Sequence, residues 1–170
     1  MSDGEFSHWI DIRHLPNGEL TLAATPDQCA ALARRFALVS VGRLEARVVL
    51  SHEGIAVLAR GRLNADIVQS CAISGEDLPV TIDEPVLLRF TAEQPAGGQE
   101  EIEITADDCD EIAYSGTRFD LGEALAQSLA LAIDPFATGP EADAARQREG
   151  LLGEGEAGPF AALAKLRKGD

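Results

Sequence analysis

Between Val39 and Phe90 the chain keeps a period of two that no helix can use. Val41, Arg43, Glu45, Arg47 and Val49 alternate with Leu44, Ala46, Val48 and Leu50. Successive strand side chains point to opposite faces, so such a run demands a sheet with one buried and one solvated face. "SHEG" at Ser51–Gly54 reads as a turn, "IAVLARGRLNADIVQS" as the returning strand, and "SGEDLP" as the lead into a third strand, "VTIDEPVLLRFTAE". The expectation is a three-stranded antiparallel meander. Beyond it, "QPAGGQEE" reads as a tip, "EIEIT" as a short edge strand with outward charges and "ADDCDEIAYSG" as an acidic connector.

The flanks carry helix and turn signals. "HWIDI" and "GELTL" around Pro16-Asn17-Gly18 predict an N-terminal hairpin, because Asn-Gly tolerates the positive φ of a tight turn. Thr25 as N-cap, Pro26 at the first helical position and Gln28 completing a capping box predict a helix to about Phe36, with Cys29, Leu32, Ala33 and Phe36 on its inner face. "DLGEALAQSLALAIDPF" predicts a second helix, with Asp120 as N-cap, Glu123 as capping-box partner and Pro135 beyond its end. Apolar Leu131 and Ile133 lie off its Leu121–Leu125–Leu129 stripe, so cover on more than one side is expected. Residues 138–158 turn Gly- and Glu-rich, and the closing "GPFAALAKLRKGD" regains helical spacing.

Together these predict an α+β fold: a twisted antiparallel sheet of five to six strands, two main helices and a short C-terminal helix. Residues 1–137 would form a single domain, 138–158 a flexible acidic linker and 159–170 a C-terminal helical segment.

Composition narrows the function. Cysteines at 29, 71 and 109 are odd in number and widely spaced, which fits a reducing, cytoplasmic setting better than a disulfide framework. The N-terminus lacks a basic and then apolar leader, and no stretch has the ~20 apolar residues of a membrane span. Net charge is −15, unevenly spread: residues 1–70 hold seven Arg against eight acids, residues 71–170 seven Lys or Arg against twenty-one. A nucleic acid would therefore have to meet a local basic face, whereas a basic protein is attracted by the molecule as a whole.

Catalytic and metal chemistry find no apparatus. His8, His14 and His52 stand in no metal-ligand spacing. No G-x-S-x-G elbow occurs. "GEGEAG" at Gly153–Gly158 satisfies a dinucleotide-binding spacing, but no strand precedes it, and Glu154 and Glu156 would repel a pyrophosphate. "DDCDE" at Asp107–Glu111 lacks the glycine and terminal Glu of a calcium loop, so it reads as a solvated turn. No cofactor, metal ligand or catalytic residue is assigned. What remains is a set of arginines: Arg43 and Arg47 share one strand face, and Arg60 and Arg62 alternate on the next, so pairing would gather them beside Glu45. The patch could hold phosphate, or be a solvated face of cross-paired charges.

"GRLNADIVQSCAISGEDLPVTIDEPVLLRF", "DEIAYSGTRFDLGEALAQSLALAIDPF" and "GPFAALAKL" resemble the YceD-like family of large ribosomal RNA subunit accumulation proteins, from about residue 40 to the C-terminus. The family is bacterial with plastid relatives, and its members are often encoded beside a large-subunit ribosomal protein gene. The resemblance implies a non-enzymatic ribosome-biogenesis role in accumulation or processing of large-subunit ribosomal RNA, exercised by binding precursor RNA or an associated protein. In that reading Arg43, Arg47, Arg60 and Arg62 of the strand face are assigned the RNA contact. Phe160, Leu163, Lys165, Arg167 and Lys168 would supply a second, partner contact. The alternative is an acidic adaptor that docks a basic ribosomal protein without touching RNA. Many relatives carry C-x-x-C where this chain has Cys71 and Ser74. Half a ligand pair cannot hold zinc, so the about 10 kcal/mol or more that structural zinc can supply is not available here. Cys71 is then expected to be a small buried hydrophobe.

Overall fold

A computed structural model describes residues 5–93 and 110–148. The described residues build β1 (Trp9–Asp11), β2 (Glu19–Ala23), α1 (Pro26–Arg35), β3 (Ser40–Glu53), β4 (Ala56–Ser70), β5 (Asp77–Ala92), β6 (Asp110–Tyr114), β7 (Arg118–Asp120), α2 (Leu121–Ala132) and α3 (Ala142–Arg148). The described residues divide into two compact units, 5–68 with 79–93 and 110–133, and 69–78 with 134–148.

The first unit follows from the alternating run. β3 and β4 pair antiparallel from Ser40–Val68 to Glu53–Ala56, interrupted by a register shift between Val41 and Arg43. The turn is tighter than "SHEG" suggested: the strands extend through Ser51–Glu53, and Gly54, at φ +61°, makes the reversal. Leu44, Ala46 and Val48 on β3 and Ala59, Leu63 and Ala65 on β4 are almost wholly buried. Cys29, Leu32 and Ala33 of α1 join that core, as do Leu121, Leu125 and Leu129 of α2. The capping box of α1 forms as expected, with the Thr25 side chain accepting from the Gln28 N–H and the Gln28 side chain accepting from the Thr25 N–H.

The structure corrects the sequence reading in several places. The sheet is mixed, in the order β2-β3-β4-β5-β6, because β5 and β6 run parallel from Leu88–Asp110 to Ala92–Tyr114. The expected acidic connector is therefore partly a strand: in Asp110–Tyr114, Ile112 and Tyr114 alternate with Glu111 and Ala113, and Tyr114 is buried. The N-terminal hairpin does not form. β2 pairs with β3, while β1 pairs with β7, placing Ile10 opposite Phe119 as a buried pair that outweighs the local turn signal. Asp120 caps α2 by accepting from the Glu123 N–H, but the Glu123 carboxylate turns away from the capping box to Arg35, at 2.6 and 2.8 Å. Their mutual hydrogen bonds raise the Arg35 pKa and lower that of Glu123. On α2, Ile133 is partly buried against the core as expected, whereas Leu131 is 79% exposed among the described residues.

In the second unit, residues 142–148 of the expected linker are helix α3, with Ala142 and Ala145 buried. The "EIEIT" strand, Cys109 and the 159–170 helical segment lie outside the described residues.

Candidate functional site

Among the described residues, the face of the sheet opposite the core is open. Pleating sends Arg43, Arg47 and Val49 of β3, and Arg60 and Arg62 of β4, outward, between the buried positions. Cross-strand register brings the four arginines together: Arg47 lies directly opposite Arg62, Val49 opposite Arg60, and Arg43 opposite Asp66. Thr21 of β2 extends the row on the other side of Arg47.

Like charges directly opposite one another repel, and each of this pair has its own carboxylate. Arg47 meets Glu45 at 2.8 Å and Arg62 meets Asp83 at 2.9 Å. Arg43 meets Asp66 at 3.0 Å. Arg60 makes no ion pair among the described residues. Asn64 donates to Asp83 and Thr81 donates to Asp66, which binds the charged groups into a polar surface three strands wide, β3 to β5. Sequence reasoning found the arginines and Glu45. It missed Asp66 and Asp83, because the partners come from a neighbouring strand and a bulge sets the register. Phe160, Leu163, Lys165, Arg167 and Lys168 lie outside the described residues.

A second feature belongs to the smaller unit. Cys71, 4% exposed, starts a turn in which its N–H donates to the Glu76 carbonyl and its own carbonyl accepts from Gly75, at φ +73°. The sulfur is more than a hydrophobe. It accepts from the N–H groups of Ser74 (3.3 Å) and Gly139 (3.4 Å). The Ser74 side chain first, then the backbone donors of Ser74, Gly139 and Ile73, bring the thiol down to about 6 from an ordinary 9.0. Glu76 Oε1 accepts from the Ser74 hydroxyl and from the Glu141 N–H, so one carboxylate ties the turn to residues 139–141. A Cβ on Gly139 would lie 2.5 Å from that oxygen, so a side chain there would push the Glu76 carboxylate off its two donors. Where a second cysteine would stand, Ser74 thus completes a hydrogen-bonded knot. Among the described residues no group of three His, Cys, Asp or Glu is placed to hold a metal.

Fold and surface define an α+β protein built on a mixed sheet with one face free. Residues 59–167 match the family model described as "Large ribosomal RNA subunit accumulation protein YceD". The chain belongs to the YceD family, whose name ties it to accumulation of large-subunit ribosomal RNA and to no chemical reaction. Neither the curated proteins nor the solved structures contain a match. No described helix is long and apolar enough to cross a membrane.

Proposed function

We propose that this chain is a cytoplasmic, non-enzymatic ribosome-biogenesis factor that supports accumulation or processing of large-subunit ribosomal RNA by holding precursor RNA on its open sheet face. The observation that carries this reading is the convergence of Arg43, Arg47, Arg60 and Arg62 on adjacent strands of one uncovered face. Their ion pairs are no bar. Exposed pairs contribute only about 0–1 kcal/mol each, so a phosphate can displace a carboxylate at small cost. Arg60 is the first point of contact, because no carboxylate has to leave it. Phe160, Leu163, Lys165, Arg167 and Lys168 are assigned a second partner contact.

The test is binding of single-stranded and precursor large-subunit RNA as a function of salt. Four phosphate contacts give a slope of log affinity against log salt of about −2.8 for a single strand. Arg60→Ala together with Arg62→Ala should weaken binding and flatten that slope by about half. A salt-independent signal, or none, would sink the RNA reading.

One observation favours a second reading. The open face carries Glu19, Glu45, Asp66 and Asp83 beside its four arginines, and the whole chain is at −15, so a basic ribosomal protein is also an electrostatic match. Partners that persist after nuclease digestion support this adaptor role, and partners lost with the RNA support direct RNA binding.

A further inference from the structure

On the far side of the larger unit from the arginine row in strand order, β6 is the last strand of its sheet. Its backbone is half used. The Glu93 N–H donates to the Tyr114 carbonyl at 2.9 Å, which turns the Tyr114 and Ile112 peptide groups toward β5. N–H and C=O alternate sides along a strand, so those of Glu111 and Ala113 point away from β5, where the described residues include no neighbouring strand.

Ala113 also lines a hollow of about 300 Å³ floored by Phe90, Tyr114 and Phe119, with Trp9 at its mouth. The floor is rigid, since Phe90 and Phe119 stack at 3.9 Å and Tyr114 lies 5.8 Å from Phe119. Trp9 is 53% exposed, a large apolar surface left beside this hollow. The cations nearby are engaged: Arg118, on the rim, faces Asp11 at 4.0 Å, and Arg89, opposite Glu111 in the register, faces Glu53 at 3.5 Å. Asp110, Glu111 and Glu93, exposed along the strand and at its end, make no ion pair among the described residues. The charge left over at this edge is negative.

We propose that the β6 edge and its hollow form a docking site for an extended, basic segment of a partner protein. The segment adds as a strand through the Glu111 and Ala113 peptide groups and seats one large apolar side chain against Trp9. Main-chain hydrogen bonds supply affinity in this mode, and the pocket selects the side chain. Flanking Lys or Arg side chains meet Asp110, Glu111 and Glu93. A nucleic acid suits this edge poorly, because its phosphates would face the exposed carboxylates of Asp110, Glu111 and Glu93. The site is separate from the arginine face, so it stands or falls independently of RNA binding there.

Trp9 is the chain's single tryptophan, so its emission reports this hollow alone. The full chain is titrated with a short synthetic peptide alternating Lys and Val around one central Phe. The expected result is a saturable blue shift that weakens as salt rises. Replacing the peptide's Phe by Ala should lower affinity roughly tenfold or more. Glu111→Lys should weaken binding severalfold while leaving the circular dichroism unchanged. Ala113→Pro, which removes one of the outward N–H donors, should weaken it severalfold. The proposal is overturned by an unmoved Trp9 spectrum at peptide excess, or by an unchanged affinity in Glu111→Lys. An oligouridylate that shifts Trp9 as well as the peptide does, or concentration-dependent self-association that shifts it without any ligand, also overturns it.

Discussion

The two faces of the five-stranded sheet are made by the same alternating sequence yet hold different kinds of energy. The inner face is aliphatic and aromatic, with Leu44, Ala46, Val48, Leu63 and Phe90 fully enclosed. The outer face is ionic, and three of its four arginines lie within 3.0 Å of a carboxylate while remaining more than half exposed. Burial makes the inner face the source of stability. Exposure makes each outer pair nearly neutral in energy and leaves its donors available. A strand period of two thus separates holding the fold from presenting a surface, residue by residue.

Breaking the inner face should give the largest effects. Phe90→Ala removes a fully buried ring stacked on Phe119 and should cost about 3–5 kcal/mol in urea unfolding. Gly61→Ala tests the same face from the opposite direction. A Cβ at Gly61 would overlap the Arg47 carbonyl oxygen and crowd Val48 Cα at 2.7 Å, so a loss of about 3 kcal/mol is expected, as for an overpacked core. A smaller loss, about 1 kcal/mol, should follow Thr25→Ala, which removes the N-cap of α1 without touching either face.

Cys71 sharpens the contrast through pH. Its thiol is brought down to about 6 from 9.0 in the folded chain, whereas burial pushes the Cys29 thiol up. A group with a depressed folded pKa adds stability in full above its unfolded value and loses it as pH falls through the folded value. Stability should therefore rise from about pH 6 toward pH 9, and Cys71→Ser should flatten that rise. Thiolate ultraviolet absorbance, taken as the difference between parent and variant, locates the transition. A midpoint at the ordinary thiol value would contradict the hydrogen-bonded sulfur.

The smallest stability effects belong to the outer face. Arg62→Ala and Asp83→Ala should each change unfolding energy by no more than about 0.5 kcal/mol. RNA affinity should nevertheless fall in the first and rise in the second, where an arginine is released from its carboxylate. Equal stability with opposite binding would show that this face is for contact alone.

How much of this was legible depended on range. The strands β3 to β5, the cap of α1 and the start of α2 were readable because alternation, Thr25–Gln28 and Asp120 are local signals. The common face of the four arginines was legible for the same reason. Pairings between distant segments were not. Pro16-Asn17-Gly18 signals a hairpin, and nothing in "HWIDI" announces that its partner is "RFD", more than a hundred residues on. The acid-rich run around Asp110–Tyr114 concealed a parallel strand, since charge composition outvoted a five-residue alternation. The Gly-rich stretch after Thr138 suggested a linker, yet hydrogen bonds from Gly139 and Glu141 to the Cys71 turn lead into helix α3, where Ala142 and Ala145 are buried.

The ribbon of β1 and β7 has a consequence for how the molecule is made. Trp9–Asp11 is made first, and the strand that accepts it and Asp120, whose carboxylate receives the His8 N–H, emerge about 110 residues later. At roughly 5–20 residues per second, the amino end waits on the order of 5–20 s before it can be fastened. During that interval Ile10 has no partner, and the nascent chain offers an uncommitted strand to whatever lies near the ribosomal exit.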